Sequence, residues 1–448
     1  MKIFLILFFI VLQFSGFSLA IEDIDLNNAD DIRIEKVSNI DLDSLFQKAK
    51  VHSYDIKMAD FDVLIAKTSI MSARSEYFPK LNFSMGNEYT HNYNNKASYV
   101  TTVGDMFINP YTRYQSVLGI TLSYNVFDFG VRRGKLDLAK EDVELKKMKE
   151  TEATRELELN LIDLYTKILI SKKQIDINNE ILKLANKNIE LSKRLYKAKV
   201  ISKTDLNDAE FKVSKTKAQI FDLKKILQES LLWAEFYTNE KYDNENLKIE
   251  EIKKVGFSPL ENTDYTKTLT WKIYESEIKK KELELKVTKR QNLPKVNAYG
   301  RWYLYGSDYS SYNDAWGDMS PSSYAVGASL NMPVFDGLVN YSDIQRAKLE
   351  LQKMYVQRDK DIADFMTRLS ILRNNIIYLD NEINENKKAI KELQEKEKSK
   401  QKLLSKKVIM QTELNEAKIE LLETKIELEK NTITLNSMTK AIETLTAY

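Results

Sequence analysis

The sequence has no cysteine, two histidines, six prolines and twelve glycines among 448 residues. Without cysteine there is neither a disulfide nor an acylated N-terminal cysteine to hold the chain at a membrane. His52 and His91 stand apart and no glycine-rich phosphate loop occurs, so no catalytic or metal-binding constellation is visible. Acidic stretches such as "DLDSL" and "DDIRIE" lack the spacing of a calcium loop. These absences point away from an enzyme and leave no cofactor or metal to expect. Charge of one sign is also missing: 68 Lys and Arg face 66 Asp and Glu. With no basic stripe, a dedicated nucleic-acid binder is excluded. After residue 20 no apolar run approaches the roughly 20 residues of a membrane helix. The scarcity of Gly and Pro favours long helices. One compact core would be large for this length, so an elongated or repeated architecture is the first to test.

The chain opens with "MKIFLILFFIVLQFSGFSLA". Lys2 is a short positive region, Ile3 to Leu12 is apolar, and Ser18-Leu19-Ala20 is a small-x-small cleavage site. Residues 1–20 therefore read as a signal peptide cut after Ala20, since the apolar stretch is too short for an uncleaved anchor to span comfortably. Beyond it the chain repeats itself. "KVISKTDLNDAE" from Lys199 returns as "KVIMQTELNEAK" from Lys407, 407 − 199 = 208 positions later. Phe127-Asp128 and Phe335-Asp336 keep the same offset of 208, whereas Pro79 and Pro294 are 215 apart. The segment between the proline and the "VFD" is thus seven residues longer in the first copy (215 − 208). A span that tolerates no insertion and a loop that does is the pattern of a rigid helical part and a variable loop. The boundaries read as a first repeat over 21–238, a connecting segment over 239–262 and a second repeat over 263–448.

Within the constant span, apolar residues recur at sevens: Leu161, Ile168, Ile175, Leu182, Ile189, Tyr196. After the repeated phrase the spacing alternates three and four through Leu206, Ala209, Val213, Thr216, Ile220 and Leu223, and again through Leu414, Ala417, Leu421 and Thr424. These are coiled-coil seams. The arm from Val131 to Lys199 is about 68 residues, roughly 100 Å of helix, and its partner returns antiparallel. Each copy is then a long helical hairpin, with tips at about 197–205 and 405–413. Elsewhere the period changes to two. Leu81, Phe83 and Met85 alternate with Asn82, Ser84 and Gly86, and Leu118, Ile120 and Leu122 with Gly119, Thr121 and Ser123. Strands are expected at about 80–93, 115–127, 295–305 and 323–335. One apolar and one small polar face suits a membrane β-barrel; an ordinary soluble antiparallel sheet is the alternative. Four strands cannot close a barrel, and open edges are not tolerated in lipid, so another sheet or further chains must complete it.

A signal peptide followed by two copies of helix–strand–strand–long helix–helix resembles the TolC-like outer-membrane channel family, also called outer membrane factors. The resemblance runs from about Leu42 to about Leu445 and rests on "ARSEYFPKLNFS", "LSYNVFDFGVRRGKLDLAKE", "RLYKAKVISKTDLNDAE", "LNMPVFDG" with "IQRAKLELQK", and "KVIMQTELNEAK". It implies an α+β membrane protein. Three chains would share one twelve-stranded barrel in outer-membrane lipid, continued by a periplasmic coiled-coil tunnel. It further implies a homotrimer working with a periplasmic adaptor and an inner-membrane transporter, as the exit duct of a tripartite efflux pump or a type I secretion system. A non-conducting exported coiled-coil scaffold or surface tether is the competing function. By the same resemblance the adaptor would dock at Lys199, Val200, Ile201 and Ser202 and at Lys407, Val408, Ile409 and Met410. Lys199 and Lys407 stand where the family usually has Gly, which leaves the turn geometry open. Thr204 and Thr412 read as N-caps of the returning helices. Glu413 and Glu416 match acidic residues that ring the periplasmic entrance in some members, and Asp205 is shared between that gate and a first-turn role. The Tyr/Arg latch of some members falls on Leu404 and Ile409, so it is missing. Tyr196 matches a further family Tyr, or is a seam residue.

Overall fold

A computed structural model describes residues 33–91, 101–103, 106–108, 113–243, 247–253 and 265–447. The expected signal peptide, most of the loop at 92–112 and the 254–262 part of the connecting segment lie outside the described residues. In chain order the elements are β1 (Arg33–Val37), β2 (Asn39–Ile40), α1 (Leu42–His52), α2 (Tyr54–Ser75), β3 (Lys80–Tyr89), β4 (Thr101–Val103), β5 (Met106–Ile108), β6 (Tyr114–Phe127), α3 (Val131–Lys197), α4 (Lys203–Thr238), β7 (Glu240–Tyr242), β8 (Lys248–Ile249), α5 (Leu269–Arg290), β9 (Lys295–Asp308), α6 (Tyr312–Gly317), β10 (Ser320–Asn331), α7 (Val339–Ser405) and α8 (Gln411–Ala447). The duplication is visible element by element. Helices α2 and α5 both have 22 residues, and α3 and α7 both have 67. Among the described residues no helix is long and apolar enough to cross a membrane.

Four of the strands form one antiparallel sheet in the order β10-β9-β6-β3. Each repeat supplies a hairpin, and β6 against β9 joins the two. Register puts Leu118, Ile120 and Leu122 opposite Met85, Phe83 and Leu81, and Leu118 and Ile120 also opposite Leu304 and Trp302. One face is therefore apolar, with Phe83 63% and Val326 86% exposed. The other face carries Gly119, Thr121 and Ser123 beside Tyr303, Arg301 and Tyr299. Gly119 is required there, because a Cβ would lie 2.5 Å from the Tyr303 ring. β10 stops at Asn331, short of Phe335, where Pro333 has no N–H to continue a ladder. β3 and β10 are edges with no partner strand among the described residues.

The strand-to-helix junction explains the "VFD" motif. The Asp128 carboxylate accepts from the amides of Gly130 (3.1 Å) and Arg132 (3.0 Å) and from Arg132 Nε (2.9 Å). Arg132 also donates to the carbonyls of Glu76 and Val126 and lies 4.9 Å from the Tyr77 ring centre. In the second copy Asp336 accepts from the amide of Asn340 (2.9 Å) and from Asn292 Nδ2 (3.0 Å). Asn340 is Arg132 moved by 208, so the cap is kept and the ion pair is not. Between Asp and helix the backbone turns through two left-handed residues in both copies. These are Phe129 (φ 53) and Gly130 (φ 82), then Gly337 (φ 69) and Leu338 (φ 71). Each copy relieves one of the two positions with glycine, and a different one.

The helical hairpins bury the seams read from the sequence, but only in part. Leu161 and Ile168 are fully buried and Ile175 nearly so, whereas Leu182 and Ile189 are half-buried and Tyr196 is 41% exposed. Toward the tip the buried stripe moves to Ile181, Ala185, Asn188 and Ser192, the drift expected when a straight helix of 3.6 residues per turn carries a seven-residue pattern. Tyr196 is consequently not a seam residue. Helix α8 is buried on two sides. Leu414, Ala417 and Leu421 follow the predicted seam, and Asn415 and Ile419 lie on a second stripe, Ile419 packing with Ile181 and Ala185 of α3. Around the middle of the helices, β1 and β2 pair in parallel with β7 and β8. Tyr165 of α3 closes this layer: its hydroxyl lies 2.5 Å from the Glu250 carbonyl and 3.1 Å from that of Ile40. Burial pushes that hydroxyl's pKa well up, so it remains a donor.

Candidate functional site at the hairpin tips

Both long helices end in the same backbone device. The Val200 amide donates to Leu195 O and the Lys199 amide to Tyr196 O, both at 2.9 Å. In the second copy Val408 donates to Leu403 O (3.0 Å) and Lys407 to Leu404 O (2.9 Å). This paired closure satisfies the last helical carbonyls and requires a left-handed residue at its centre. Lys199 (φ 57) and Lys407 (φ 58) take that conformation, so lysine adopts the geometry that glycine provides more cheaply. Leu404, where the resemblance would have placed a latch residue, supplies a carbonyl to this closure.

The returning helices start one or two residues earlier than the expected caps. α4 begins at Lys203 with Ser202 as its N-cap, and α8 begins at Gln411. Thr204 and Thr412 are therefore inside the first turn, where a helical backbone cannot cap itself, and neither is the N-cap. Ser202 and Asp205 form a reciprocal capping box. The Asp205 carboxylate accepts from the Ser202 hydroxyl (2.8 Å) and amide (2.9 Å). Those two bonds, the hydroxyl's first, hold the Asp205 carboxyl below its ordinary value. The "SKTD" of the repeated phrase carried this signal as S-x-x-D. In the second copy Glu413 takes the corresponding place and accepts from the Met410 amide at 3.3 Å.

Between the first hairpin and α8 lies a groove of about 520 Å³. Asp205, Asp208, Glu416, Glu420 and Glu423 line it together with Lys212. The structure thus brings Asp205 and Glu416 into one groove from opposite repeats, while Glu413 caps the turn outside that lining. Ile201 and Met410 also face the groove. Val200 (56%), Val408 (65%) and Met410 (46%) are exposed, but Ile201 and Ile409 are only half so. Of the expected apolar docking residues, the two isoleucines are less available than the two valines. Lys212 bridges to Glu423 across the repeats. Deeper down, Asn415 Nδ2 donates to Asn188 Oδ1 (2.7 Å), and Gln411 Nε2 donates to Asn415 Oδ1 (3.0 Å). This amide chain joins the two hairpins. Asn188 and Asn415 escaped the sequence reading because both lie off the single seam that periodicity marks.

Residues 45–232 match the family model described as outer membrane efflux protein. At the level of sequence no curated protein matches the chain. Solved structures match its fold almost end to end. The outer membrane protein VceC of Vibrio cholerae superposes with a TM-score of 0.72 at 15% identity, over 90% of this chain and 95% of that one. The CmeC outer membrane channel of Campylobacter jejuni does so with a TM-score of 0.74 at 12% identity, over 90% and 85%. The Neisseria gonorrhoeae MtrE outer membrane channel, solved in its open state, gives 0.63 at 14%, over 89% and 88%. The fold class expected from the sequence is the one observed. The chain holds a four-stranded share of a β-barrel continued by a long α-helical coiled-coil barrel, in tandem repeat.

Proposed function

From a chain that has the TolC-like channel fold throughout and matches the outer membrane efflux protein family over residues 45–232, we propose an outer-membrane exit duct fed from the periplasm. One observation carries this reading: a four-stranded sheet with an exposed apolar face and two edges that have no partner among the described residues. In lipid every backbone group must be satisfied, so those edges require closure. Three copies closing edge to edge give 3 × 4 = 12 strands, with the apolar face toward outer-membrane lipid and the small polar face toward the lumen. The four long helices of each chain then continue the wall into the periplasm as a tunnel.

In this homotrimer the six tips surround the periplasmic entrance. An adaptor docks on Lys199–Ser202 and Lys407–Met410, and an inner-membrane transporter drives substrates through. Asp205 and Glu416, lining one groove, together with Glu413 form the acidic gate. Such a ring attracts cations and repels anions. The tunnel serves a tripartite efflux pump or a type I secretion system alike, because the transporter selects the cargo. A non-conducting tether leaves the exposed apolar sheet without a role. The test is detergent extraction of the full chain from outer membranes, followed by mass measurement and planar-bilayer recording. A trimer that conducts is expected. A monomer released by salt washing, or a trimer without conductance, overturns the reading.

A further inference from the structure

The tips hold more positive charge than the whole chain. Residues 190–208 and their repeat equivalents 398–416 contain ten Lys and Arg against five Asp and Glu, a net of 10 − 5 = +5. The complete chain is only +2, so everything else sums to 2 − 5 = −3. Eight of these cations are exposed and, among the described residues, have no carboxylate within ion-pair distance. They are Arg194, Lys197, Lys199 and Lys203 on the first tip and Lys398, Lys402, Lys406 and Lys407 on the second.

Helix ends explain only some of them. Arg194, Lys197 and Lys402 occupy last turns, where the helix dipole favours a cation. Lys203 opens α4, where the dipole disfavours one. Lys199 and Lys407 sit at left-handed positions (φ 57 and 58) in both repeats, where glycine would relieve strain and carry no charge. Exposed Val200, Val408 and Met410 lie among these lysines. The surface is a basic rim around a small apolar centre.

We propose that this rim selects its partner by charge: it docks an adaptor whose docking surface is acidic, with apolar side chains between its carboxylates. The proposal rests on the tip-docking reading above and adds the partner's chemistry to it. Three copies would place +15 around one entrance, enough to steer an acidic partner at low salt. A bare polyanion would use the lysines and leave the exposed valines without a contact, which favours a protein partner.

The test uses the full detergent-purified chain and two immobilised antiparallel coiled-coil hairpins with identical stems, one tipped with Glu and Leu, its twin with Lys and Leu. A single-stranded oligonucleotide serves as a third probe. The acidic hairpin should bind and the basic twin should not. Lys199→Glu with Lys407→Glu should weaken binding by about tenfold or more, and raising salt should do the same. Lys199→Gly with Lys407→Gly removes the charge while easing the turn, so the same loss there rules out misfolding as its cause. Equal binding of the two hairpins, or binding indifferent to both double variants, overturns the proposal. Oligonucleotide binding as tight as that of the acidic hairpin also overturns it, in favour of a general polyanion surface. Bilayer conductance of the unsubstituted protein reports separately on the channel reading. A conducting trimer whose tips ignore charge sinks only the docking proposal.

Discussion

Replacing Asp128 should damage the protein far more than replacing its repeat equivalent Asp336. The Asp128 and Arg132 side chains are only 7% and 10% exposed and meet at 2.9 Å. Asp128→Ala removes three hydrogen bonds at once and strands a guanidinium with two carbonyl acceptors and the Tyr77 ring. Breaking a buried pair by deleting one partner costs about 3–5 kcal/mol, roughly a hundred- to a thousand-fold or more in a folding equilibrium. Asp128→Asn keeps an acceptor for the two amides and should recover part of the loss. Asp128→Leu with Arg132→Met should recover more, since no buried charge remains. Asp336 is only half-buried, and Asn340 carries no charge to be stranded, so Asp336→Ala should cost clearly less. The assay is urea unfolding of the detergent-solubilised protein, followed by circular dichroism. Equal midpoint shifts for Asp128→Ala and Asp336→Ala would refute the claim that burial of the ion pair separates the two copies.

Other consequences follow from single contacts. Tyr165→Phe leaves the carbonyls of Ile40 and Glu250 without their hydroxyl and should cost about 1–3 kcal/mol, seen as faster amide exchange in β2 and β8. Among the described residues, the buried side-chain amide nitrogens of Asn386 in α7 and Asn431 in α8 have no hydrogen-bond partner. Changing both to Leu should raise the temperature at which heat-modifiable migration is lost, and a fall would show that the amides are needed. Because the hydrogen bonds from Ser202 hold the folded Asp205 carboxyl below its ordinary value, its capping contribution is present above the ordinary carboxylate range and lost as pH falls through the lower folded value. Intrinsic-rate-corrected exchange at the start of α4 should be flat from pH 8 to 5 and rise only in stronger acid, and Ser202→Ala should abolish the step. Glu413→Gln with Glu416→Gln should lower cation selectivity in bilayers by about twofold or more; an unchanged reversal potential removes both residues from the gate.

Periodicity alone determined a great deal of this protein. The two offsets of 208 and 215 located matching helices and strands, and the three-four spacing of Leu206, Ala209, Val213 and Thr216 marked a face that is buried or half-buried. Such patterns are legible because each records how often one element turns the same side inward, which is a local property. The repeated phrase marked both tips for the same reason: a turn between antiparallel helices must interrupt the seam. Tertiary structure decided what local period does not contain. It put Asn415 of one repeat against Asn188 of the other, buried α8 on a second side, and moved the cap from Thr204 to Ser202. It also gave Asp128 a buried arginine and Asp336 only amide donors, although both stand in the same three-letter motif. Contacts between distant segments depend on which faces meet, and a face is fixed only when its neighbour arrives.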